Sequence, residues 1–162
     1  MSRFIKTLSL LLSIIILAGC AESELKQEGK QQYEWNGKTI SIVSHPERIS
    51  AFSLDATEVL LSLVEPERVA VVSSSIDNEN MSHYSHLAEQ FDIKVSGSSI
   101  DPEQVIAYDT DLVLITMTHE AEQDATELLA QAGIPLVAFE DWNTVEGLQN
   151  NLQFIGEITG TQ

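Results

Sequence analysis

The chain has 162 residues, with 25 acidic against 8 basic side chains and a net charge of −17. That balance speaks against nucleic acid, and against anionic lipid met through a protein face, because both need a cationic surface. The single cysteine excludes a disulfide within the chain, and the length suits one domain with a real core.

In chain order, Arg3 and Lys6 precede an apolar run from Leu8 to Leu17, broken only by Ser9 and Ser13. Leu17-Ala18-Gly19-Cys20 follows. A charged start, a short apolar stretch and small residues before a cut describe a secretory signal. The run falls short of the roughly 20 apolar residues that a spanning helix needs. Leu17 to Cys20 resembles the lipobox of bacterial lipoproteins, which implies cleavage before Cys20 and a diacylglycerol on its thiol. The competing reading is an uncleaved N-terminal anchor, or an ordinary signal peptide with an incidental cysteine. Residues 21–32 are polar and aperiodic, as in a flexible tether. The expected organisation is therefore a lipoprotein signal peptide over 1–19, a lipidated tether over 20–32 and a folded lobe over 33–162. Its expected place is the extracytoplasmic face of a cell membrane, held there by lipid.

Asn36-Gly37 between Tyr33–Trp35 and Lys38–Ile42 is a strong signal for a β-hairpin. Strands and helices then alternate. Strands are expected at Ile49–Phe52, Val69–Val72, Ile93–Val95, Leu112–Thr116 and Pro135–Phe139. Helices are expected at Asp55–Leu63, His83–Gln90, from Asp101 onward, Glu120–Ala132 and Thr144–Ile158. Residues 73–82 read as a polar loop. Asp101 can cap its helix, with Pro102 in the first turn and Gln104 completing a capping box. Gly133 and Gly160 suit left-handed helix ends. Short apolar strands between helices imply an α/β fold: a mostly parallel sheet with helices on both faces, preceded by a short hairpin. Ligands of such sheets sit outside the carboxyl ends of the strands. That points to loops 53–56, 73–82, 96–100, 116–120 and 140–143.

Motifs of bond chemistry are scarce. The chain has no G-x-S-x-G, no G-x-G-x-x-G and no Walker loop. Most carboxylates read as solvated acidic surface. His83 and His86 would share a helix face, and His119 stands at a strand end, so a metal is conceivable there; surface or loop histidines are the simpler account, and no metal or cofactor is expected. Met81 and Met117 read as packing residues. Trp142 could stack on a flat ligand or cover the edge of the sheet.

Three stretches combine. They are Pro46-Glu47-Arg48-Ile49-Ser50-Ala51-Phe52-Ser53-Leu54-Asp55-Ala56-Thr57-Glu58-Val59-Leu60, then Glu67 to Ser74, then Pro102 to Ile115. Gly133-Ile134-Pro135 and Ile155 to Gly160 add support. From about Pro46 to its last residue the chain resembles the N-terminal lobe of ABC-transporter solute-binding proteins of the iron-siderophore, haem and cobalamin class. In that family two α/β lobes, joined by a long helix, hold the ligand between them. The expectation is a truncated form with the second lobe absent.

The resemblance implies a binding lipoprotein and not an enzyme. It would capture an iron-siderophore or related chelate and deliver it to a membrane permease. Glu103 stands where the family docks a glutamate on its permease. Ser53, Leu54 and Asp55 match the first ligand-facing loop, with Leu54 and Asp55 in place of the family's Pro and Ser. Ser74 and Ser75 match the second loop, without the aromatic often found at 75. Thr110 replaces the usual proline before Asp111-Leu112-Val113. His119 and Trp142 complete the ligand-facing set. The alternatives are a zinc or manganese binding protein using His83, His86 and His119, a haem or cobalamin binder, and, further off, a surface hydrolase.

Overall fold

The hairpin begins at Lys30, earlier than its apolar pattern suggests. In this computed structural model, which describes residues 29–96, 100–116, 121–140 and 142–162 (backbone alone for 121–125), β1 spans Lys30–Trp35 and β2 spans Lys38–Val43. Lys30 to Gln32, read from sequence as the end of the tether, are drawn into β1 by pairing with β2, which needs no apolar side chains. Asn36 and Gly37 both take positive φ, 49° and 72°. That is the two-residue turn whose twist matches the flanking strands. Cys20, Met117 and His119 lie outside the described residues, as does most of loop 96–100 and of loop 116–120.

The remaining elements are β3 (Ile49–Ala51), α1 (Leu54–Leu63), β4 (Val69–Ser73), β5 (Lys94–Val95), α2 (Pro102–Ala107), β6 (Leu112–Thr116), α3 (Ala121–Gln131), β7 (Leu136–Phe139) and α4 (Val145–Thr159). Three 3₁₀ segments join them, at Pro66–Arg68, Ser74–Asp77 and Ser85–Gln90. The last replaces the α-helix expected near His83–Gln90, and Ser74–Asp77 gives order to part of the expected polar loop.

The main sheet has the order β5-β4-β3-β6-β7, and each neighbouring pair in it is parallel. The chain lays down β3, β4 and β5 in one direction, then returns to place β6 on the free side of β3. The order therefore reverses between β3 and β6. Both faces are covered. Leu112 and Leu114 of β6 join a core with Leu60 of α1 and Ile155 and Ile158 of α4. Val113 and Ile115, on the opposite face, join Val105 of α2 and Leu129 of α3. Alternate residues of one strand thus feed two cores, as a doubly covered sheet requires.

Local signals set the helix ends. Ser53 caps α1 by accepting from the Ala56 amide, and Thr144 caps α4 by accepting from the Gly147 amide. Gly160 closes α4 with φ 71°, a left-handed turn that favours glycine. Asp101 caps α2 through the Glu103 amide, while Gln104 donates to the Asp101 carboxylate at 3.2 Å. This differs from the capping box, in which the side chain of the third helical residue would accept from the cap's backbone N–H.

The amino end of the sheet is braced by two of the stretches that carry the family resemblance. The Asp111 carboxylate accepts from the amides of Glu47 (2.8 Å) and Arg48 (3.1 Å). The Arg48 guanidinium donates back to the carbonyls of Asp109 (2.8 Å) and Tyr108 (2.7 Å). Beside them Ser50 and Thr110, both buried, share a hydroxyl hydrogen bond of 2.7 Å. The approaches to β3 and β6 are thereby held in register, so the opposite, carboxyl ends emerge side by side.

Candidate functional site at the carboxyl edge

Because the sheet is parallel, the loops after β3, β4, β5, β6 and β7 all leave from one edge. In sheets of this kind the ligand crevice falls where the strand order reverses, which here is between the ends of β3 and β6. Ser53 follows β3 and Thr116 ends β6. Their hydroxyl oxygens are 2.8 Å apart, and the Thr116 amide donates to Ser53 Oγ at 3.2 Å. Ser53 Oγ also accepts from the Ala56 amide at 3.3 Å. Ser53 was expected to face a ligand, yet its hydroxyl is committed to joining strand ends and capping α1.

The next turns of α1 continue this bracing. Thr57, fully buried, donates from Oγ1 to the Ser53 carbonyl and accepts there from the Ser73 amide at 3.1 Å. Ser73 in turn accepts from the Ser75 amide, which starts the 3₁₀ segment Ser74–Asp77. Glu58 accepts from Ser82 Oγ at 2.5 Å and from the His83 amide at 3.2 Å. Of the two loops expected to face a ligand first, Asp55 is exposed and Leu54, Ser74 and Ser75 are half-buried. Thr57, Glu58 and Thr116 were not singled out from sequence, although Thr57 and Glu58 stand inside the Pro46–Leu60 stretch that carries the resemblance.

Trp142 lies apart from them, beyond β7. It packs on Phe139 with ring centroids 5.3 Å apart, and its Nε1 is buried with no hydrogen-bond partner among the described residues. It ends an aromatic run. Trp35 of the hairpin stacks on Phe154 of α4 (4.1 Å, 14° between planes) and meets Phe139 edge-on at 5.4 Å, while Tyr33 meets Phe154 at 6.3 Å. Of the two roles open to Trp142 from sequence, this packing favours cover of the sheet edge. The Trp35 indole N–H donates to the Ala138 carbonyl of β7 at 2.9 Å. Tyr33 titrates above the ordinary phenol value of 10.0, first because it is buried and second because Glu157 adds negative charge.

A cavity of about 340 Å³ opens between the hairpin turn and the first turns of α4, bounded by Trp35, Asn36, Glu140, Glu146 and Asn150 among others. It is separate from the Ser53–Thr116 crevice. His83 and His86 are exposed on either side of Tyr84, whose ring meets them at 5.4 and 6.2 Å. No group of three or more candidate metal ligands occurs among the described residues. Glu103, in the first turn of α2, is exposed. Among the described residues no helix is long and apolar enough to cross a membrane.

The family model for periplasmic binding proteins matches residues 49–162, from the start of β3 to the last residue. The chain belongs to the periplasmic binding protein family. The match covers the five-stranded sheet and both its helical layers, and leaves the hairpin outside. A curated relative, described as the uncharacterized ABC transporter substrate-binding lipoprotein YvrC of Bacillus subtilis (strain 168), is 24% identical over 168 residues. The alignment takes in 95% of this chain and 50% of YvrC, so the chain spans about half the length of that relative. A periplasmic solute binding protein from Veillonella parvula DSM 2008 shares the fold with a TM-score of 0.70 at 18% identity, over 82% of this chain and 42% of its own. The petrobactin-binding protein YclQ of Bacillus subtilis does so with a TM-score of 0.63 at 14% identity, over 82% and 46%. Sequence reading thus had the family and the fold class right. Identities this low carry the fold and leave the ligand open.

Proposed function

We propose that this chain is one lobe of an ABC-importer substrate-binding lipoprotein, offering the carboxyl edge of its sheet to an iron-siderophore or related iron chelate. The observation that carries the reading is the reversal of strand order between β3 and β6, inside the segment that matches the family. A reversal parts the loops and leaves a crevice there. In this reading Leu54, Asp55, Ser74 and Ser75 line one side of the ligand, with Ser53 holding the edge in shape. His119 would contribute from the loop after β6, while Trp142, packed on Phe139, would cover the edge after β7. No bond is made or broken, and the ligand is held by hydrogen bonds and packing. Haem and cobalamin are the alternative ligands, and zinc or manganese a further one.

Glu103 would meet the permease. Its place in the first turn of α2 keeps the carboxylate at the surface, where the helix N-terminus also favours negative charge. Lipid on Cys20 would hold the lobe at the extracytoplasmic face of the membrane.

The test is a titration of the full chain, alone and fused to the portion of YvrC that it does not match. Ferric siderophores, haemin and cobalamin are added in turn while tryptophan fluorescence is followed. Saturable quenching by the siderophore class supports the proposal. Saturable quenching by haemin or cobalamin alone moves the assignment to that class, and no response from either protein overturns the binding reading.

A further inference from the structure

We propose that Glu58 is a positioning residue, whose carboxylate sets the turn over residues 78–84 and with it the His83–Tyr84–His86 rings that flank the carboxyl edge. Its effect on ligand choice rests on the solute-binding reading above. The effect on the turn does not.

Glu58 lies just over one turn into α1, whose first residue follows the end of β3. It is therefore close to the edge without facing the crevice. Its two oxygens serve different residues: Oε1 accepts from Ser82 Oγ and Oε2 from the His83 amide. Ser82 is 4% exposed, and its hydroxyl accepts from the Tyr84 amide at 3.1 Å. The carboxylate thus reaches Tyr84 through one intermediate. Bonds to an ionised acceptor are the stronger kind, and the one from Ser82 satisfies a buried hydroxyl, while the one from His83 is at the surface.

Other contacts hold only the ends of the turn: Asp77 pairs with Lys94 before it, and Tyr84 packs on the core after it. Residues 77–81 are all exposed, and Met81 turns outward at 57% exposure. Asn78 closes the near side, accepting from the Ser82 amide at its carbonyl and from the Asn80 amide at its side chain. These bonds shape residues 78–82 but do not tie them to the helix. Tyr84 is the pivot of the ring group, edge-on to His83 at 87° and tilted 30° to His86. A shift of Tyr84 carries both imidazoles with it.

Glutamate is suited to the task because it has two acceptor oxygens for two donors. Glutamine keeps one acceptor and turns an NH₂ toward a second donor. Aspartate is one methylene short.

The experiment compares the full chain with E58A, E58Q and S82A. Amide exchange at Ser82–Tyr84 and the imidazole proton shifts of His83 and His86 are followed by NMR, with amides of β6 as the reference. E58A should speed exchange at His83 and Tyr84 about tenfold or more, the loss expected of a charge-assisted bond, and should move both imidazole signals. S82A should do so chiefly at Tyr84, and E58Q should fall between wild type and E58A. Unchanged exchange and shifts in E58A overturn the proposal. So does equal loss of protection across β6, which would make Glu58 a general stabiliser. Should E58A fail to fold, an S82A protein with an undisturbed Tyr84 overturns the proposal alone. A ligand that quenches the wild type should bind E58A more weakly, by about tenfold. If no probe binds wild type while the exchange pattern holds, the solute-binding reading fails and the positioning role stands.

Discussion

Ser53 Oγ and Thr116 Oγ1 stand 2.8 Å apart and join the carboxyl ends of β3 and β6 at the point where the strand order reverses. One hydroxyl group thereby joins two strand ends and starts a helix. The two duties separate on mutation.

Ser53→Ala removes both the cap of α1 and the bridge. A lost serine cap costs about 1–2 kcal/mol. Thr116→Val keeps the cap and deletes only the shared hydroxyl bond, at about 1 kcal/mol. Urea unfolding should rank wild type above Thr116→Val, and Thr116→Val above Ser53→Ala. The double variant should cost less than the sum of the two. Full additivity would show that the bridge is not shared.

Trp35 is the centre of the aromatic run from Tyr33 to Trp142. Trp35→Ala should destabilise the fold by about 3 kcal/mol, at the lower end for a tryptophan because the ring is half-buried. Near-ultraviolet dichroism should also lose the signal of Trp142, whose partner Phe139 is held between the two indoles. A Trp142 signal that survives the substitution would contradict the run.

Arg68 donates to the Pro46 carbonyl through Nε and Nη2 (3.0 and 2.7 Å) and to the Thr159 carbonyl through Nη2 at 2.8 Å. It ties the approach to β3 to the end of α4. Lysine cannot reproduce that fork. Both Arg68→Lys and Arg68→Ala should therefore lose about 1–2 kcal/mol in denaturant titrations. A lysine variant as stable as wild type would show that charge alone suffices.

Tyr33 gives the fold an alkaline limit. Burial, then the charge of Glu157, raises its folded value above 10.0. The neutral phenol is thus favoured in the folded state. The associated stability is whole below the ordinary phenol value and is lost as pH rises through the raised one. Melting temperatures followed from about pH 8 to about pH 11 should fall more steeply for wild type than for Tyr33→Phe. Equal slopes would remove Tyr33 as the cause.

Features that depend on neighbouring residues were readable in the sequence. Asn36-Gly37, Asp101-Pro102, Gly133 and Gly160 need particular backbone angles or caps, and each marks the end of an element close to where the structure has it. The apolar runs at Val69 and Leu112 are buried on both faces, so their strands stood out. What stayed hidden depends on distant partners. Ser53 looked like a free loop hydroxyl until Thr116, 63 residues later, was beside it. Glu58 read as one more surface acid, because its donors lie 24 and 25 residues away. Trp142 could stack on a ligand or on the protein, and only the fold brings Phe139 and Trp35 into line with it. The early start of β1 was hidden for the same reason, since pairing with β2 overrides a polar composition.

The hydrogen bond from the Trp35 indole to the Ala138 carbonyl has a meaning beyond packing. β7 is the last strand of its sheet, and an outer strand offers unpaired backbone groups to any other extended chain. The indole occupies one such carbonyl and brings the hairpin against that border. Removing it would expose a template for strand addition, so these molecules would be expected to join border to border at high concentration. The hairpin, outside the family match, thus covers part of that border.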